Sequence, residues 1–185
     1  MNIPNILTSL RILLIPVLVL VYYLPFEWNF IAAALIFMFA GFTDWLDGYL
    51  ARKMDQSTPL GAFLDPVADK LIVTTSLVVL TAAFANPLVT IPAVIIVGRE
   101  IVISALREWM AELGKRSSVA VSWLGKVKTF FQMGAITLLL AGPPGSLITQ
   151  LGCLALALAA VLTIWSMVIY LKAALPELKP VAKKQ

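Results

Sequence analysis

Histidine is missing from all 185 residues, which removes imidazole both as a catalytic base and as a metal ligand. Cysteine occurs once, at Cys153 inside an apolar run, so no disulfide can form within one chain and the side chain reads as a small buried hydrophobe. Charge is scarce as well. Only 13% of residues are charged, against roughly 25% in a soluble domain. What fills the space is oil: 61% of residues are hydrophobic and the mean hydropathy is +0.95. Such a chain is an all-α, polytopic membrane protein, packed as one domain over residues 1–185. Its apolar runs are long and unbroken, which excludes a β-barrel, whose strands alternate polar and apolar residues. No basic segment precedes the first apolar run and no small-residue cleavage site follows it, so it is expected to be a retained span.

Six transmembrane helices are predicted, at about residues 7–24, 30–50, 60–84, 88–110, 125–141 and 146–171. Turns carrying Pro, Asn or Gly separate the first from the second, the third from the fourth and the fifth from the sixth. Those three turns contain no Lys or Arg. Arg11, Arg52, Lys53, Arg107, Lys115, Arg116, Lys126, Lys128 and Lys172 all fall on the other side. By the positive-inside rule that side is cytoplasmic, with both termini on it, and the formal charge of +4 reflects topology and phosphate binding more than nucleic acid. Residues 1–10 are expected to form a short interfacial helix, and residues 176–185 a mobile lysine-bearing cytoplasmic tail near anionic headgroups. Trp28, Trp45, Trp109 and Trp123 fit an aromatic belt.

Against this background, five carboxylates fall within 26 residues. Asp44, Asp47, Asp65 and Asp69 are spaced as D-x-x-D-G-x-x-A-R, eight residues, then G-x-x-x-D-x-x-x-D, while Asp55 lies outside the pattern as a loop residue. At 100° per residue, Asp44, Asp47, Gly48 and Ala51 share a sector of the second span, and Gly61, Asp65 and Asp69 share a face of the third. A turn over residues 52–59 makes the two spans an antiparallel hairpin, so the acidic faces can meet. Four carboxylates in low dielectric cannot all stay ionised without cations, and two hard divalent ions, Mg²⁺ or Mn²⁺, suit oxygen donors. Gly48, Ala51 and Gly61 leave room for a ligand or for close helix approach, Pro66 frees a carbonyl near the site, and Arg52 suits a phosphate oxygen. No nucleophilic Ser or Cys constellation accompanies them, which points to direct displacement without a covalent intermediate.

At all eight fixed positions this string resembles the signature of the CDP-alcohol phosphotransferase family, which makes phospholipids from CDP-linked lipids. Beyond it, the segments N-I-P-N-I-L-T-S-L-R, F-L-D-P-V-A-D-K, G-R-E-I-V-I-S-A-L-R-E-W and G-K-V-K-T are similar to bacterial members that use a phosphorylated glycerol, and the likeness covers nearly the whole chain. The resemblance implies that CDP-diacylglycerol and sn-glycerol 3-phosphate give phosphatidylglycerol phosphate and CMP, at the bacterial cytoplasmic (inner) membrane. It implies metal ligation by Asp44, Asp47, Asp65 and Asp69, with Asp69 also the general base. Gly48, Ala51, Arg52 and Gly61 would line the CDP-lipid pocket, while Asn5, Thr8 and Arg11 either close that pocket or cap and anchor the first helix. A homodimer formed through lipid-facing helices is a further implication.

Glycerol 3-phosphate is a dianion, so its site must be cationic. Arg99, Arg107, Lys126 and Lys128 are the candidates. Arg99 stands out because it lies about midway along a span, where a charge is costly, with Glu100 beside it as a potential partner. Lys126 shares a face with Thr129, whereas Lys128 points about 160° away from Lys126 and is the weaker candidate. Two other readings stay open: another acceptor within the family, giving cardiolipin, phosphatidylserine or an inositol phosphate lipid, and a divalent-cation or proton transporter.

Overall fold

The computed structural model describes residues 3–54, 59–112, 114 and 123–178; several side chains inside those helices, including those of Asp47, Gly48, Ala51, Arg52 and Lys126, lie outside the described set. The described residues form six α-helices: α1 (Ile3–Tyr23), α2 (Asn29–Met54), α3 (Pro59–Phe84), α4 (Pro87–Glu112), α5 (Trp123–Leu140) and α6 (Leu147–Leu178). No strand occurs among the described residues. Aliphatic side chains such as Leu20 and Leu154 are 66% and 70% exposed, and only an apolar surrounding makes that surface tolerable.

Four helices contain windows long and apolar enough to cross a bilayer: Asn5–Tyr23, Phe63–Phe84, Pro87–Glu112 and Leu147–Lys172. Shorter apolar stretches occur among the described residues of α2 and α5, Asn29–Asp44 and Val127–Leu140. Each carries a charged residue of the site below, Asp44 in α2 and Lys128 in α5. The predicted interfacial helix is not a separate element, because α1 runs unbroken from Ile3. The predicted tail is helical as far as Leu178, and residues 179–185 lie outside the described set.

Neighbouring helices pack in a ring, α1–α3–α4–α6–α5–α2, with α3 also touching α5 across the middle. Apolar burial does not drive this packing in lipid; close fit does, which favours small residues between helices. Ala33, Ala40, Ala135 and Ala159 are accordingly fully buried beside Phe37, Leu77, Leu80, Ile136 and Leu139. The tightest approach joins α5 and α6, where a Cβ on Gly152 would stand 2.8 Å from Leu139 Cγ and 3.1 Å from its backbone nitrogen. Local signals close the turns. The Asn29 side chain donates to the Tyr22 carbonyl (2.9 Å), tying α1 to α2, and Asn86 Oδ1 accepts from Leu88 N–H (2.9 Å) at the start of α4. Gly145, at φ +91°, takes the left-handed conformation in the α5–α6 turn.

Candidate active site

One end of the ring, where α2 ends and α3 begins, carries the acidic residues. Among the described residues α2 and α3 touch only weakly, and α1 packs against both and bridges them. It does so through a polar stripe on an otherwise apolar helix. Asn5, Thr8 and Arg11 recur every three residues and turn inward, at 6%, 0% and 1% exposure. Arg11 Nη1 donates to Asp44 Oδ1 at 2.7 Å, and Thr8 Oγ1 donates to Asp65 Oδ1 at 2.5 Å. The opening segment is thus the brace that fixes one carboxylate on each neighbouring helix. Asp44 pairs with Arg11, and the side chains of Arg52 and Lys53 lie outside the described residues. Gly61 is buried at the start of α3.

Asp69 occupies the joint between this acidic end and a second cluster. Its charge interacts with those of Asp44 and Arg11 on one side and of Glu100 and Lys128 on the other. It borders a cavity of about 220 Å³ whose polar walls include Lys70, Arg99, Glu100, Arg107, Lys128 and Tyr170. At ~30 Å³ per water that is room for about seven waters, or one small polar molecule. The cations here are organised. Glu100 accepts from Lys128 Nζ at 2.5 Å and from Arg99 Nη1 at 3.2 Å. Arg99 and Arg107, two turns apart on α4, both lie over the ring of Tyr170, at 5.5 and 5.7 Å from its centroid. Arg99 Nε has no hydrogen-bond partner among the described residues and is buried. Fixed donors of this kind, held by a ring and a carboxylate, bind an anion with little reorganisation.

Three of the four cations proposed for the acceptor, Arg99, Arg107 and Lys128, meet in this one cavity. Lys128 had been the weaker candidate because it faces away from Lys126; that face turns into the bundle, where Lys128 is 4% exposed, and the side chain of Lys126 lies outside the described residues. Thr129 lines the cavity as well. Sequence reading missed Tyr170 and Gln132. Both stand in apolar helices with no spacing that marks them, and only their proximity to Arg99 and Lys128 reveals them. Among the tryptophans proposed for the belt, Trp28 and Trp109 are exposed, while the side chains of Trp45 and Trp123 lie outside the described residues.

An all-helical membrane protein with an acidic end beside a cavity lined by cations fits the class of integral membrane enzymes. The chain belongs to the CDP-alcohol phosphatidyltransferase family, whose model matches residues 1–168. It is 53% identical to a CDP-diacylglycerol–glycerol-3-phosphate 3-phosphatidyltransferase of Pseudomonas fluorescens, over 100% of this chain and 96% of the relative. Relatives of the same name from Shigella flexneri serotype 5b and Escherichia coli K12 are 56% identical, over 96% of this chain and 97% of each.

The family generally uses divalent metal ions. The donor set here suits a hard cation, since the described candidates, Asp44, Asp65 and Asp69, offer only carboxylate oxygens, and two of them are oriented through Oδ1 by α1. Among the described residues no three acidic side chains group closely enough to hold an ion by themselves, and Asp47, the fourth candidate, has its side chain outside them.

Proposed function

We propose that this chain transfers the phosphatidyl group of CDP-diacylglycerol to sn-glycerol 3-phosphate, yielding phosphatidylglycerol phosphate and CMP. The observation that carries this reading is the cavity in which Asp69 faces Arg99, Arg107 and Lys128. A phosphate held by those cations leaves the far hydroxyl of a short polyol directed toward the carboxylate. A neutral or lipidic acceptor would not need three cations there.

In the proposed reaction, Asp69 accepts the proton of the primary hydroxyl. That oxygen forms a bond to the phosphatidyl phosphorus as the bond from this phosphorus to the CMP oxygen breaks, and CMP departs with the electron pair. Asn5, Thr8, Gly48, Ala51, Arg52 and Gly61 line the nucleotide side. Asp44, Asp47, Asp65 and Asp69 would hold Mg²⁺ or Mn²⁺, which when bound neutralises pyrophosphate charge. The remaining catalytic contribution of the protein is positioning: α1 orients Asp44 and Asp65, and Glu100 and Tyr170 orient the cations. All six helices cross the cytoplasmic membrane in this reading, with the site and both termini on the cytoplasmic side, and the protein works as a homodimer.

The test is an acceptor panel. Purified protein in mixed micelles is given CDP-diacylglycerol with glycerol 3-phosphate, serine, inositol phosphate or phosphatidylglycerol. Expected is CMP release with glycerol 3-phosphate alone, abolished by chelator and restored by Mg²⁺ or Mn²⁺. Turnover with serine and none with glycerol 3-phosphate refutes the assignment.

A further inference from the structure

Gln132 is 4% exposed, lines the cavity, and its Oε1 is buried without a hydrogen-bond partner among the described residues. It follows Lys128 by four residues on α5, so the two side chains share a face about 6 Å apart along the axis. Val73 stands in the same relation to Asp69 on α3. Gln132 and Val73 therefore line the cavity one turn beyond Lys128 and Asp69, with Met133 beside them. Around it, Glu100 is committed to Lys128 and Arg99, and Asp69 to the proton of the attacking hydroxyl, while Arg99 Nε, also buried with no partner among the described residues, is a cationic donor that suits phosphate. A buried amide oxygen without a partner among the described residues, beside Val73 and Met133, suits a neutral group that can donate a hydrogen bond. A phosphate dianion does not suit that oxygen, because it offers only acceptors, whereas a hydroxyl can donate to it.

We propose that Gln132 is a specificity-determining residue that reads the secondary hydroxyl of the acceptor. The inference rests on the acceptor assignment above and extends it. A hydroxyl both donates and accepts, so it satisfies the carboxamide whichever end is turned toward it. An acceptor lacking that hydroxyl leaves a buried amide unpaired, and sites of this kind reject such analogues more strongly than apolar pockets reject an added group.

The experiment compares sn-glycerol 3-phosphate with 3-hydroxypropyl phosphate, which keeps the primary hydroxyl and the phosphate but lacks the secondary hydroxyl. The unaltered protein should prefer glycerol 3-phosphate by about 10- to 100-fold in kcat/KM. In Gln132→Met, similar in length, kcat/KM for glycerol 3-phosphate should fall by about that factor while the value for the analogue changes less than about threefold. An equal fall for both acceptors in a variant that melts normally assigns Gln132 a structural role and overturns the inference. So does a preference below about twofold in the unaltered protein, a comparison that needs no variant. Absence of any turnover with glycerol 3-phosphate overturns the acceptor assignment and this inference together; normal turnover with undiminished discrimination in Gln132→Met overturns this inference alone.

Discussion

Replacing Tyr170 by Leu removes the ring on which two guanidinium groups rest. Arg99 is buried and lies 5.5 Å from the ring centroid, so its contact belongs to the desolvated range, about 1–2 kcal/mol. Arg107 is exposed at 5.7 Å and contributes about 0.5 kcal/mol. Together these make about 2 kcal/mol of ordering energy, equivalent to about 30-fold in an equilibrium constant. The loss should fall on the anionic acceptor, since both cations face its cavity. Initial rates measured against glycerol 3-phosphate at saturating CDP-diacylglycerol should show the acceptor KM rising by about 10- to 30-fold, with the KM for the CDP-lipid within twofold of normal. Tyr170 also packs with Ile103, Met110, Leu106 and Met167, so the Leu variant should melt earlier, by a packing loss of about 1–3 kcal/mol. Tyr170→Phe keeps the ring and separates the two effects: its acceptor KM should stay within about threefold of normal. A Leu variant that remains folded with an unchanged acceptor KM, or one whose KM values for both substrates rise equally, refutes the positioning role.

Asp69→Asn should leave the fold intact, because the side chain is exposed and makes no hydrogen bond or salt bridge among the described residues; turnover should fall by about 10²- to 10⁴-fold, and near-normal rates in that variant would move the proton acceptor elsewhere. Gly152→Ala should destabilise the α5–α6 pair by about 1–3 kcal/mol, because the added methyl meets both the side chain and the backbone of Leu139. Gly41→Ala is the comparison: its Cβ meets only the flexible Met133 Cε, at 3.0 Å, so its melting temperature in detergent should move much less than that of Gly152→Ala.

Much of this protein is written locally along its chain. Runs of apolar residues broken by Pro, Asn and Gly specify the six described helices, most ends to within a few residues although α6 runs on to Leu178, because a helix satisfies its own backbone in lipid and the requirement is met segment by segment. The absence of histidine, the acidic motif and the rarity of mid-span charge are equally local, and they mark Asp69 and Arg99 without reference to any neighbour. Which helix faces meet is not local. Asn5, Thr8 and Arg11 read as either a cap or part of a pocket until α1 is seen inserted between α2 and α3, with its donors on Asp44 and Asp65. Lys128 looked misdirected because its helix was judged against Lys126 alone; the bundle turns that face inward onto Glu100, 28 residues away in sequence. Tyr170 and Gln132 carry no pattern of their own. Their roles arise from pairings between α4, α5 and α6, and such contacts depend on how side chains interlock across the ring, which helical periodicity within one segment does not encode.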